Sequence, residues 1–422
     1  MNLNRSSQLV DAVKDLAHRG SRMSERAEAP DREWTSDPRW RNLRALGTRL
    51  WLDTGDLQGA SERWTREFEG LTTNNTLLNR EVQKGIYDDL IDEVASSSDV
   101  IQDLDEHQRV IELALLLNAR HGLKLVNRFG AWVSVELHTD LAHDLDATVW
   151  YGRRLFDICP DRFIVKVPLT TAGYLAARRL RRIGVRVNFT LGFSARQNYL
   201  AAVLARPAYV NVFLGRLNSF VAANDLGDGD NVGERTLVAS QVAVAELRDA
   251  RGVPTRQIAA SMREGRQVSA LAGTDVMTLP LAVADGFVAE HTPDDPLFSF
   301  EDQTYAVNVK RGKARGLVEG LWTVTDGLKQ AASRLLDEPL KSYGPDDLRA
   351  FFHEHGVPGL FPSWSDEDVS TIASDGKIPV YAHWSDRLHE GSVALDALMS
   401  RSGLEQFAAD QSALDSRIRS LL

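Results

Sequence analysis

The chain has 422 residues, a formal charge of −10, and 43% apolar and 26% charged residues, the composition of a folded globular protein and not of a disordered one. The acidic balance argues against nucleic-acid and membrane-surface partners, which need a basic face, although a local group of arginines can still receive a small anion. Cys159 is the only cysteine, which excludes an intrachain disulfide and a cysteine-based metal site and fits a reducing, cytoplasmic setting.

Met1 to Arg5 carries no apolar leader, and no stretch is long enough in apolar residues to span a bilayer. Leu9, Val13 and Leu16 recur at helical spacing behind Ser6 or Ser7 as a cap, which predicts one amphipathic helix. A polar connection with Pro30 and Pro38 follows over 22–41, so 1–48 reads as an N-terminal helical extension. From residue 49 short apolar runs alternate with longer helical patterns. Strands are expected at 49–54, 70–74, 132–138, 163–168, 185–191, 209–215, 257–262 and 275–281. Helices are expected at 76–95, 103–118, 147–157, 173–183, 194–205, 234–251 and 266–272. Eight strands alternating with helices predict a parallel sheet closed into an α/β (β/α)8 TIM barrel over 49–289, with extra helix inserted between the second and third strands. The character changes near Glu290. A C-terminal, mostly helical addition follows, in which 290–384 has no assigned role. The segment 385–422 ends in a helix whose Leu404, Phe407, Leu414, Ile418 and Leu421 pack on the barrel or cover its mouth.

Chemistry in such a barrel stands at the carboxyl ends of the strands. Lys166 lies in the middle of the fourth strand, in the run Phe163-Ile-Val-Lys-Val-Pro168. An ammonium buried there is costly, so it pairs, reaches to solvent, or becomes a neutral amine and hence a nucleophile. Six other strands also end in polar groups: Asp53, Asn74, Glu136 with Ser134 and His138, Asn188 with Thr190, Arg216 after Phe213, and Ser261 with Arg263. Residues two apart on a strand share a face, so Asn188 and Thr190 point the same way. A single such group is commonly a satisfied core residue; seven successive strands that all end this way argue for catalysis.

Other signals are weaker. His353-Glu354-His355 has its histidines two apart and not the four that put two ligands on one helix face, so no metal is expected. Asp228-Gly-Asp-Asn231 lacks the distal carboxylate of a calcium loop, Ala239 standing there, and reads as a turn before a helix. The run Lys310 to Arg315 reads as a solvated surface, and no glycine-rich nucleotide fingerprint occurs, so no cofactor is expected.

These residues resemble the transaldolase family. The likeness is carried in order by Asp53-Thr-Gly-Asp56, Thr72-Thr-Asn74, Val133-Ser-Val-Glu136, Val165-Lys-Val-Pro168, Asn188-Phe-Thr-Leu191, Phe213-Leu-Gly-Arg216 and Ala260-Ser-Met-Arg263, with Phe407-Ala-Ala-Asp-Gln411 near the end. It implies a metal-free aldolase chemistry in which Lys166 forms a Schiff base with a ketose phosphate, Asp53 is the acid and base, and Glu136 and Thr190 hold a water. Asn74 and Asn188 would orient a dihydroxyacetone unit, with Phe213 beside it, and Arg216, Ser261 and Arg263 would take the phosphate of the sugar substrates. A homodimer is an assembly the resemblance leaves open. Asn75 stands where the family usually has proline, Asn211 near a family serine, and His138 in place of a common aspartate; all three bear on substrate preference. A relative that releases free dihydroxyacetone is the nearest alternative. It is disfavoured because such relatives tend to carry an amide and a tyrosine where Glu136 and Phe213 stand. A non-catalytic sugar-phosphate-binding barrel is disfavoured because Lys166 and Asp53 are both present.

Overall fold

The apolar runs become eight parallel strands, β1 (Arg49–Asp53), β2 (Phe68–Thr72), β3 (Trp132–Glu136), β4 (Phe163–Pro168), β5 (Val187–Thr190), β6 (Tyr209–Phe213), β7 (Arg256–Ala260) and β8 (Val276–Pro280). They pair in chain order and β1 returns to β8, so the sheet closes on itself as a (β/α)8 barrel. The structure is a computed structural model that describes residues 6–19, 34–97, 99–310 and 312–422. Pro30 of the polar connection and Arg311 of the basic run lie outside the described residues.

Alternation along the strands sorts the side chains. Phe163, Val165 and Val167 on β4 and Phe189 on β5 point outward and are fully buried beneath helices, each contributing about 1.5–3 kcal/mol of burial. Inside, Trp51 meets Tyr209 edge-on with ring centroids 4.8 Å apart, filling the barrel below the row that carries Lys166.

Seven of the eight expected strands run past the observed carboxyl ends, those for β2, β3, β6 and β7 by two residues and for a common reason. The polar residues beyond β2 and β3 belong to the next helical turn and not to the sheet. Asn74 caps the helix Asn75–Val82 by accepting from Leu77 N–H at 2.8 Å, and His138 caps a 3₁₀ turn by accepting from Asp140 N–H at 3.1 Å. Leu214 already opens the helix Leu214–Ala223 after β6, and Ser261 leaves β7 at φ 64. The helix expected at 76–95 is two, Asn75–Val82 and Asp88–Ser97, with Gly85 at φ 78 between them. The one expected at 103–118 continues through Glu106–Phe129 until Gly130 ends it. Val232–Arg251 follows the turn at Asp228, whose side chain accepts from Asp230 N–H at 3.0 Å.

Ahead of the barrel, Ser7–His18 buries Leu9, Val13 and Leu16 against the Glu106–Phe129 helix. Beyond it the added region contributes Lys313–Glu319, Asp326–Leu335, Pro345–Glu354, Asp366–Asp375 and Tyr381–Glu390. The helix Leu395–Arg419 then crosses the carboxyl end of the barrel, packing on Asn75–Val82 and Glu106–Phe129. Leu404, Phe407, Leu414 and Ile418 are buried, whereas Leu421 falls beyond the helix. Three contacts latch it. Asp396 takes both arms of Arg196 at 2.7 Å and the Ser194 hydroxyl at 2.6 Å. The Ser400 hydroxyl donates to Leu191 C=O at 2.8 Å. His138 Nδ1 is occupied by Asp140 N–H, so Nε2 carries the proton and donates to Asp415 at 3.2 Å. Among the described residues no helix is long and apolar enough to cross a membrane.

Candidate active site

Register places the central groups side by side. Glu136 on β3 partners Lys166 on β4, which partners Asn188 on β5. In a parallel ladder such partners present their side chains on one face, so the three form a row on the inner wall. Lys166 is 4% exposed, and its Nζ donates to Thr73 C=O at 3.0 Å. The Asn188 amide donates to Ser134 Oγ at 3.0 Å, while Asn188 Oδ1 and Thr190 Oγ1 are buried with no protein partner.

Two carboxyls face this lysine. The Thr72 hydroxyl donates to Asp53 Oδ1 at 2.6 Å. With that proton spent, Thr278 Oγ1 at 2.7 Å must be the donor to Thr72. Burial pushes Asp53 above the ordinary carboxylate range, against the pull of the Lys166 charge, the Thr72 hydrogen bond and Arg263. Burial likewise pushes Glu136 up and the Asp53 charge adds to it, opposed by Lys166 and by Asn75 N–H, which donates to Glu136 Oε2 at 3.1 Å.

The loop that follows Asp53 is fixed from below. Asp56 caps the helix Leu57–Arg63, accepting from Gln58 and Gly59 N–H at 3.0 and 3.1 Å. His121 Nε2 binds Gly55 C=O at 2.8 Å and its Nδ1 lies 2.9 Å from Tyr87 Oη. Burial lowers His121 to about 4, so the neutral ring donates to the carbonyl and accepts from the phenol.

Across the mouth stand the arginines. Arg216 is buried, its Nη1 has no partner, and the guanidinium lies 5.7 Å from the ring centres of both Phe213 and Phe407. Burial lowers it to about 10, with Arg263 acting the same way and Asp410 opposing. Burial lowers Arg263 as well, opposed by Asp53. A Cβ on Gly215 would stand 2.3 Å from Ser261 C=O, so glycine is what lets the β6 and β7 loops meet here. Leu191 and Ser261 both adopt positive φ, 63 and 64, a strain of order 1 kcal/mol each that a branched side chain rarely bears.

Of the residues to which the resemblance assigns a role, all but Glu136 and Thr190 line one cavity of about 860 Å³; those two lie in the wall behind it, as does Ser134. His138 does not reach the cavity: its ring is turned to the C-terminal helix. Asn211 lines it, but its side chain is spent on Phe189 C=O at 2.6 Å and Gly192 N–H at 3.1 Å. The sequence reading missed Thr278, Arg80, Asp410 and Lys377, which also line the cavity. Thr278 carries the signal that revealed Lys166, a polar residue inside an apolar strand. Lys377 carries none. His353 and His355 form no metal site; among the described residues no cluster of histidine, cysteine and acidic side chains is placed to hold one.

A family model described as Transaldolase/Fructose-6-phosphate aldolase matches residues 50–343. The chain belongs to this family. "Transaldolase" of Xanthomonas euvesicatoria pv. vesicatoria is 31% identical over 227 residues, covering 52% of this chain and 70% of that protein. "Probable transaldolase" of Thermus thermophilus is 40% identical over 167 residues, 39% of this chain and 67% of that one. Membership of the transaldolase/fructose-6-phosphate aldolase family makes the chain an enzyme, related to transferases, on the barrel described above.

Proposed function

We propose that the chain transfers a dihydroxyacetone unit from a ketose phosphate, fructose 6-phosphate or sedoheptulose 7-phosphate, to an aldose phosphate through a Schiff base on Lys166, as a cytoplasmic step of the pentose phosphate pathway. The observation that carries this reading is the position of Lys166, almost fully buried in a row between Glu136 and Asn188 and within the field of two carboxyls. The amine attacks the ketose carbonyl, and loss of water leaves an iminium that can accept an electron pair. Asp53 takes the proton of the C4 hydroxyl, the C3–C4 bond breaks, and its electrons enter the iminium as an enamine while the aldose departs. An acceptor aldehyde adds to the enamine and takes the proton back from Asp53; hydrolysis of the new iminium frees Lys166.

Water is needed at both ends of that cycle. Glu136, whose carboxyl is held above its ordinary range, and Thr190, whose hydroxyl has no protein partner, suit the task of holding it. Asn74 and the free oxygen of Asn188 orient the three-carbon unit, Phe213 lies beside it, and Arg216, Ser261 and Arg263 take the phosphate. In this reading the barrel 49–289 performs the chemistry, while 290–384 and 385–422 shape its mouth. One chain supplies every group named, so the mechanism does not depend on a homodimer.

Incubation with fructose 6-phosphate, reduction with borohydride, digestion and mass spectrometry should find a three-carbon adduct on Lys166. No adduct there with either ketose phosphate would refute the Schiff base.

A further inference from the structure

The added region delivers a side chain to the cavity. Lys377 follows the helix Asp366–Asp375, after Gly376 at φ 77, and lines the cavity that also holds Lys166, Arg216 and Arg263. Its turn is pinned to the helix that Arg216 approaches. The buried Ser402 hydroxyl donates to Gly376 C=O at 2.7 Å. On the neighbouring residue of the same helix, a Cβ at Gly403 would come within 3.2 Å of Arg216 Nη1 and 2.6 Å of Leu191. So the turn bearing Lys377 and the unpartnered arm of Arg216 sit on adjacent residues of one helix.

The charges around it point the same way. Lys84 lines the cavity too but is paired with Glu81 at 2.7 Å. Lys377 has no ion pair or side-chain hydrogen bond among the described residues. Lys377 is exposed, so its ammonium is free to settle on an anion held by the buried, unpartnered arm of Arg216.

We infer that Lys377 is a specificity-determining residue that joins Arg216 and Arg263 on the phosphate of the sugar substrate, making recognition of the phosphorylated donor partly a property of the 290–384 addition. Its flexible ammonium supplies a point charge, whereas the two guanidinium forks fix the oxygens. This rests on the phosphate end of the function proposed above and not on the Schiff base.

Inorganic phosphate titrated calorimetrically into the full chain and into Lys377→Ala should bind about ten-fold more weakly to the variant, and Lys377→Arg should restore most of the difference. In turnover, the preference of Lys377→Ala for fructose 6-phosphate over fructose should fall by a similar factor. Equal phosphate affinity in the full chain and in Lys377→Ala overturns the proposal. So does an absence of phosphate binding by the full chain, or an equal loss on both sugars, which would mark a structural role. Arg216→Ala separates the two readings. If it loses phosphate while Lys377→Ala does not, the site stands and the role of Lys377 falls. If no Lys166 adduct forms, the phosphate titration still judges Lys377.

Discussion

Burial raises Asp53, and after the Lys166 charge the Thr72 hydroxyl is what most opposes it. A general base works deprotonated, burial already lifts this carboxyl, and the Thr72 hydroxyl is the hydrogen bond that favours its charged form. Thr72→Val should therefore move the acid limb of kcat/KM upward in pH by about one unit; an unmoved limb would remove Asp53 as base or Thr72 as its donor. Asn75 offers a second test, on the backbone. It occupies the first position of its helix, where proline is tolerated, and its N–H serves Glu136. Asn75→Pro deletes that donor, whereas Asn75→Ala keeps it, and both remove the side chain. The proline variant should titrate Glu136 higher by roughly one unit in carboxyl carbon NMR; coincident curves would show the N–H to be idle. His121 links the site to stability. The folded ring stays neutral down to about pH 4, while an unfolded histidine takes its proton near 6.5. Stability is therefore lost as pH falls from 6.5 towards 4. Between pH 7 and 5 the native chain should lose about 2 kcal/mol more than His121→Gln in urea titrations.

At the scale of elements, the latch of the C-terminal helix is the part most open to a cut. Asp396 is ionised although burial opposes it, because Arg196 and Ser194 hold the charged form. Asp396→Ala leaves Arg196 without its partner and should lower stability by about 2–4 kcal/mol; a loss below about 0.5 kcal/mol would mean that this ion pair does not hold the helix. The same helix marks where sequence stops being informative. β4 was legible to the residue because an apolar run six residues long, buried on both faces, has one reading. The ends of β2, β3 and β6 were not, since Asn74, His138 and Leu214 could extend a strand or open a helix, and only the following turn settles which. Phe407 was legible as one side of an amphipathic helix that either packs on the barrel or covers its mouth; that its ring stands beside Arg216 in the cavity wall was not. Lys377 was illegible for a plainer reason: membership of a wall depends on the path of the chain, and a lysine in an exposed turn has no periodicity to betray it.

For the whole molecule, the sum of charges misled least where it was asked least. A formal −10 argues against polyanion binding, yet the cavity is lined by Arg80, Lys84, Lys166, Arg216, Arg263 and Lys377 against Asp53, Asp56, Glu81 and Asp410, a reminder that net charge describes the far field and a pocket makes its own. The helix Leu395–Arg419 is also part of the fold and not an accessory. It buries Leu395, Leu398, Met399, Leu404, Phe407, Leu414 and Ile418, worth about 10–20 kcal/mol before the entropy of ordering the helix is set against it. That compares with a total stability of about 5–15 kcal/mol for a domain. A chain ending at residue 394 should therefore show no cooperative melt by circular dichroism; a transition within about 5 °C of the full chain would contradict this. The arrangement also has a history in time. β8 ends at Pro280, and the helix that walls the mouth begins at Leu395. At about 5–20 residues per second a ribosome needs roughly ten seconds to bridge that interval. During it the eight strands have been made but lack the helix that completes their fold, and their apolar faces wait unburied. Gene order within the chain thus makes the barrel wait on its last helix, a delay that a circular permutant with the helix ahead of β1 would remove.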